Sequence, residues 1–273
     1  MITCKEMRGC LLLTGFLMAI GDRIDKLLYR DQQELLETAV LPLDERFRIV
    51  EQLGKVLRRG CYHSDFLRKL APMVNTARER RGSQVVSICE IGPGSGAMLR
   101  SIHAWASAQG LSVGLYGIDL DPDFGALAQR TLAADGISVS ISQGDATRLE
   151  AIVDNQFDIV IANNMVHHIR NLDAVARFFR EVARVSNVGW LIVDLDRRLR
   201  GIPFMISGFL LGGSPMLVID GVRSVRRAYH RDEISNLIER NTATHGTDRM
   251  DCVRHPILPY WWVKGTKSPL GPR

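Results

Sequence analysis

The sequence predicts an α/β fold: an open, mostly parallel sheet of about seven strands with helices on both faces. Three observations carry that expectation. Short apolar runs alternate with amphipathic runs of helical length between residues 84 and 195. A glycine-rich turn, Gly92-Pro93-Gly94-Ser95-Gly96, directly follows the first apolar run. Acidic residues then follow the next two apolar runs, Asp119 at the end of one and Asp145 in the turn after the other.

Residues 1–21 hold a basic start and an apolar stretch, Leu11–Ile20, that looks like a weak signal peptide. Met18 would open a sensible chain by itself, so the expectation is a dispensable extension. Residues 22–82 read as a helical cap. Ile24, Leu27, Leu28, Leu35 and Leu36 recur at helical spacing. The segment "LDERFRIVEQLGKVLRRG" ends at a glycine, as helices often do, and "SDFLRKLAPMVNTARER" forms a third helix, interrupted at Pro72.

From residue 83 to 265 the pattern is that of one α/β domain. Strands are expected at 85–91, 113–119, 137–142, 157–162 and 189–195. Helices are expected at 97–108, 122–134 and 172–185, the last apolar at Val175, Phe178, Phe179, Val182 and Val185. Asp121 before Pro122 is a helix N-cap with proline at the first helical position. Residues 201–219 carry no charge, but prolines and glycines break them. They read as a buried or lid-like insertion within 197–222 rather than a membrane span. The stretch "MDCVRHPILPYWWVKG" reads as two short strands, and 266–273 as a disordered tail.

The chain has 273 residues, a formal net charge of +5 and five scattered cysteines. No cysteine pair has zinc-ligand spacing, so no metal site is expected and the thiols fit a reduced, cytoplasmic setting. The mild basicity permits an anionic partner without requiring one.

The glycines invite close approach of a ligand to backbone N–H groups and a helix N-terminus. The pattern also fits a nicotinamide-dependent oxidoreductase, and the glycines alone do not separate the two. The neighbours do. "ICEIGPGSG", "YGIDLDPD", "QGDA" and "FDIVIANNMVHHI" together resemble the four motifs of the class I S-adenosylmethionine-dependent methyltransferases. That resemblance implies a Rossmann-like domain and S-adenosyl-L-methionine as cofactor, with S-adenosyl-L-homocysteine as product. It places Gly92, Gly94 and Gly96 at the methionine part, and Glu90 by the loop or the amino group. Asp119 falls to the ribose hydroxyls, Asp145 to the adenine amino group, and Asn163 beside the methionine moiety. Leu120, Gly144 and Ala146 complete the cofactor surroundings. "LIVDLDRR" and "DGVRSVRRAYHRDEISNLIER" are similar to a narrower group of bacterial methyltransferases that accompany polyketide and phenolic-lipid biosynthesis.

The acceptor is expected to be a small hydrophobic molecule, with methyl transfer to a phenolic or polyketide-type hydroxyl. A phenol with a pKa of about 10 profits from a base, and His167, His168 and His230 are the candidates. Phe204, Phe209 and Tyr229 are expected to line the acceptor pocket. The rival acceptor is RNA or protein, supported by the basic clusters at 196–200 and 222–227. Stable membrane insertion is not expected, and the oligomeric state stays open.

Overall fold

The computed structural model describes residues 28–38, 40–82, 85–199, 201–241 and 247–269. The expected extension at 1–21 lies outside them. Two helices precede the sheet, α1 (Leu43–Arg59) and α2 (Tyr62–Arg81). Then come β1 (Val86–Ile91), α3 (Ala97–Ala108), β2 (Val113–Asp119), α4 (Pro122–Ala134) and β3 (Val139–Gln143). Next are β4 (Phe157–Asn163), α5 (Leu172–Val185) and β5 (Ser186–Leu195). The last elements are α6 (Gly201–Ser207), α7 (Pro215–Arg227), α8 (Arg231–Asn241), β6 (Thr247–Arg254) and β7 (Tyr260–Lys267).

The seven strands lie in the order β3-β2-β1-β4-β5-β7-β6. The first five are parallel, and β7 runs antiparallel to both β5 and β6. The chain reverses its direction of growth between β1 and β4. A crevice opens there at the strand C-terminal ends, where open α/β sheets bind ligands.

Alternation along the strands builds two cores. Ile88, Ile159, Leu191 and Val193 pack toward α2 and α3 through Leu70, Val74, Leu99 and Ile102. Cys89, Val160, Trp190 and Ile192 pack toward α5 and α8 through Val175, Phe178, Val182 and Ile234. Gly265 lets β7 cross the Trp190 indole, since a Cβ there would lie 2.2 Å from its ring. At the opposite end from the crevice, buried Asp158 accepts bonds from the Ser87 backbone N–H at 2.8 Å and from Arg81 Nε at 2.6 Å. That clamp ties α2 to the sheet.

Four expectations are refined or corrected. α2 starts at Tyr62 and runs unbroken through Pro72. A proline removes one helical N–H, and burial of Leu70, Met73, Val74 and Ala77 on the flanking turns outweighs that loss. The leucines near residue 35 form a single 3₁₀ turn, Leu35–Glu37, rather than a helix. The Leu35 and Leu36 N–H groups donate to the Asp220 carboxylate on α7, at 2.8 and 3.1 Å. Residues 28–38 are therefore a strap bound to α7. The uncharged stretch folds as α6, a 3₁₀ turn and the start of α7, with one face packed and the other open. The last strand also reaches Lys267, past the boundary at 265.

Candidate active site

The β1 strand delivers its chain into the crevice at Gly92. Gly92, Gly94 and Gly96 have φ of 67°, 56° and 76°, the left-handed region that side chains disfavour. Packing excludes side chains too. A Cβ on Gly92 would lie 2.8 Å from Met165 Cγ, and one on Gly96 2.8 Å from Leu132 Cδ1. The Gly92 N–H donates to the Ile118 carbonyl at 2.8 Å, which locks the turn to β2. Above the loop lies α1. Its Val50 would sit 3.2 Å from a Cβ on Gly94, and its Arg46 pairs with Asp121 at 3.2 Å. Phe47 meets Phe124 edge-on at 5.5 Å.

Two acids face this loop. Glu90 is buried, and its Oε2 has no hydrogen-bond partner. Burial, then the nearby Asp119, pushes its carboxyl well above the usual range. Burial also raises Asp119, although its carboxylate accepts the Asp121 N–H at 3.0 Å. An orphaned acceptor, a second raised carboxyl and a glycine cradle fit a ligand that brings an ammonium and hydroxyl groups. Leu120, 68% exposed, offers an apolar face beside Asp119. Gly144 directly follows β3, where a Cβ would lie 2.9 Å from Ile118 Cγ2, and Ala146 packs against the α5 core. Asp145 is exposed and shapes its own turn, with Oδ1 accepting from the Thr147 N–H and hydroxyl at 2.8 Å each. Asp121 caps α4 through the Asp123 N–H at 2.9 Å. Asn163 ends β4 and accepts the Tyr62 hydroxyl at 2.6 Å.

The three histidines part company. His167 is buried at the 3₁₀ turn after β4. Its Nδ1 donates to Asp194 Oδ1 at 2.6 Å, and its Nε2 faces Glu34 Oε1 of the strap at 3.4 Å. Burial would lower its pKa, but Asp194 and Glu34 outweigh that and push it up to about 10. Burial works against the Glu34 carboxylate as well, and the His167 bond with the charges of both histidines still brings it down to about 2. Ser224 Oγ also donates to Glu34, at 2.5 Å. His168 is half-exposed and stacks near His167 with ring centroids 4.2 Å apart. It contacts Glu37 and Arg227, which pair with each other. His230 is buried and serves the start of α8. The Asp232 N–H reaches its Nδ1 at 3.4 Å, and Glu233 accepts the His230 N–H at 2.8 Å, as in a capping box. Arg254 Nη2 meets its Nε2 at 3.0 Å.

Of the expected pocket residues, Phe204 is half-buried on α6. The Phe209 side chain lies outside the described part. Tyr229 donates its hydroxyl to the Ile169 carbonyl at 2.5 Å, and its ring packs with the α5 core. Glu34, Glu37, Asp194, Arg227 and Tyr62 were missed by reading the sequence. Only Asp194, an acid inside an apolar strand run, left a local signal. Glu34, His167 and His168 offer possible ligand atoms within 4.8 Å of one another. Arg227 stands 3.6 Å from Glu34 and 2.8 Å from His168 Nδ1, so a fixed guanidinium already supplies the charge a metal would bring. The basic clusters are largely spent inside the molecule. Arg197 binds the Ala228 carbonyl and Glu233, Arg223 the Gln33 carbonyl, and Arg227 Glu37.

Fold and donor set together define a class I S-adenosylmethionine-dependent methyltransferase, with adenosylmethionine as the methyl donor. Residues 89–193 match the family described as "Methyltransferase domain". A comparison with curated proteins finds no match. Among solved structures, the plantazolicin methyltransferase BamL, in complex with a triazolic desmethylPZN analog and SAH, is similar at TM-score 0.53 and 13% identity. The match covers 83% of this chain and 90% of that one. The plantazolicin methyltransferase BpumL is similar at TM-score 0.51 and 14% identity, over 83% and 99%. DszA carbon methyltransferase is similar at TM-score 0.52 and 15% identity, over 77% of this chain and 54% of that one. These likenesses are of fold.

Proposed function

We propose that this enzyme methylates a hydroxyl oxygen of a small hydrophobic acceptor, a phenolic or polyketide-type compound. The observation that carries the reading is the buried Asp194–His167 pair at the C-terminal ends of β4 and β5. The donor, when bound, supplies an electrophilic methyl group on its sulfonium. Glu90 takes the ammonium, Asp119 the ribose hydroxyls, and Leu120 and Asp145 flank the adenine. Alignment of acceptor and methyl contributes on the order of 7–11 kcal/mol to such a reaction.

His167, held as an imidazolium, acts as a hydrogen-bond donor to a developing phenolate rather than as a resting base. The acceptor oxygen takes the place of Glu34 at Nε2, and Asp194 keeps the ring oriented through Nδ1. The phenolic proton leaves to solvent past half-exposed His168. Bringing an imidazolium beside a phenol of pKa about 10 favours the ionised oxygen. Phe204, Phe209 and Tyr229 are assigned to the apolar wall. The internal engagement of Arg197, Arg223 and Arg227 supports a small acceptor over RNA.

The test is turnover of an alkylphenol panel with labelled methyl donor, with products assigned by mass spectrometry. Methyl ethers, together with a kcat loss of about tenfold or more in His167→Gln at unchanged donor affinity, are expected. Ring-carbon methylation, or methylation of a structured RNA with the phenols inert, overturns the reading.

A further inference from the structure

The α6–α7 hairpin carries an apolar groove that nothing covers among the described residues. Pro203, Ile206, Leu210, Pro215, Val218 and Ile219 line it. Its inner face is anchored, since Ile202 and Met205 pack on Leu195, Val225 and Ala228. Its outer face is open: Leu210 is 86% exposed, Ile206 54% and Ile219 45%. Large apolar side chains gathered this way mark an interaction site rather than ordinary surface. Among the described residues, no helix is long and apolar enough to cross a membrane. Two short helices that present one apolar face suit the interfacial plane of a bilayer instead.

Cations stand beside the apolar tip. The last turns of α1 carry Lys55, Arg58 and Arg59, all exposed. Arg59 Nη1 donates to the Leu211 carbonyl at 2.7 Å, and a Cβ on Gly60 would lie 3.4 Å from Leu211 Cδ1. The acids of α1, Asp44, Glu45 and Glu51, lie toward its start and middle. Apolar side chains that can enter the acyl boundary thus neighbour three cations that can meet anionic headgroups. A protein partner would be served by the groove alone; the cationic rim is the feature that selects lipid.

We propose that the α6–α7 hairpin docks this methyltransferase on an anionic lipid surface, with Ile206, Leu210 and Ile219 inserted and Lys55, Arg58 and Arg59 against the headgroups. The proposal stands on this surface and goes beyond the acceptor reading. Docking would bring a bilayer-dissolved acceptor next to the element expected to wall its pocket.

The experiment is flotation of the full chain with vesicles of equimolar phosphatidylcholine and phosphatidylglycerol. The wild type is expected to float, and to bind pure phosphatidylcholine vesicles on the order of a hundredfold more weakly, from loss of three cation contacts. An Ile206→Glu/Leu210→Glu chain is expected to stay behind while keeping adenosylhomocysteine affinity, which shows it folded. Lys55→Glu/Arg58→Glu is expected to bind less and to lose most of the salt dependence. Flotation of the Ile206→Glu/Leu210→Glu chain equal to wild type would assign binding to another segment, such as Leu11–Ile20, and overturn the proposal. A wild-type chain that ignores anionic vesicles, or dimerises through this face instead, also overturns it. Phenol turnover in detergent-free buffer is read separately, so failure of the acceptor reading leaves the docking result intact.

Discussion

At Asp119, burial raises the carboxyl while the Asp121 N–H holds it, so the group is poised to gain from further donors. Two ribose hydroxyls would supply them, each charge-assisted bond contributing about 1.5–3 kcal/mol. Asp119→Ala is therefore expected to weaken adenosylmethionine binding at least about tenfold in a folded protein, read by calorimetry. Unchanged affinity would move the ribose elsewhere. His167 sets a pH dependence of opposite sign to the acids around it. Its folded pKa of about 10 lies above the ordinary 6.5, so its contribution to stability is whole below 6.5 and lost as pH rises toward 10. Glu34, brought from 4.5 down to about 2, contributes above 4.5 and loses that contribution as pH falls toward 2. His167→Gln is expected to be less stable than wild type near pH 6, the gap narrowing toward pH 10 in urea titrations. A gap that stays constant with pH would mean that His167 is not held charged in the fold.

At the scale of elements, the strap and α7 act as one unit. Asp220 accepts the Leu35 and Leu36 N–H groups, Ser224 holds Glu34, and Arg227 holds Glu37. Those contacts set Glu34 against His167 Nε2, so the strap stands where an acceptor oxygen is proposed to bind. Asp220→Ala leaves two part-buried N–H groups without their carboxylate partner and is expected to cost about 1–3 kcal/mol. Amide exchange at Leu35 and Leu36 should rise, while exchange along β1 and β4 should not; uniform acceleration would mean global destabilisation instead. This unit also marks the limit of legibility. β1 to β5, their crossovers and the left-handed glycines show in the sequence because each depends on local periodicity or local turn chemistry. The strap does not, because its N–H groups are satisfied by a carboxylate 185 positions away. Pro72 misled for the same reason: the flanking apolar residues gain enough from the sheet to keep the helix whole. His230 likewise serves as a cap through Glu233, three residues on, although histidine is not a favoured N-cap. The glycine turn after β1 could thus be read from its own residues, whereas the surroundings of His167, drawn from a strap, a strand end and a distant helix, could not.

Across the whole molecule, α1 and the strap lie on the crevice side of a sheet that α2 clamps from the other end through Arg81 and Asp158. The lower end is knit by buried partners and is expected to change little when ligand binds. The crevice end holds an orphaned Glu90 oxygen and a raised Asp119. A ligand that satisfies both binds the folded state and not the unfolded chain, so it must raise thermal stability. At about a hundred times its Kd, one site contributes about 2.7 kcal/mol. For a chain of this size each kcal/mol moves Tm by about 2–4 °C, so adenosylhomocysteine is expected to raise Tm by about 5–10 °C. NAD shares the ribose and adenine but brings no ammonium to Glu90, and its pyrophosphate would face two carboxyls, Glu90 buried and Asp119 half-buried. It is expected to shift Tm by less than about 1 °C at equal concentration. Glu90→Gln separates the two contributions. Gln fills the same space without the charge, so the apo protein should be at least as stable as wild type, given how far burial raises Glu90. Its Tm response to adenosylhomocysteine should shrink by half or more. Scanning calorimetry of both proteins with both ligands reads this directly. A full response in Glu90→Gln would remove Glu90 from the ammonium site, and a larger response to NAD than to adenosylhomocysteine would overturn the cofactor assignment for the crevice.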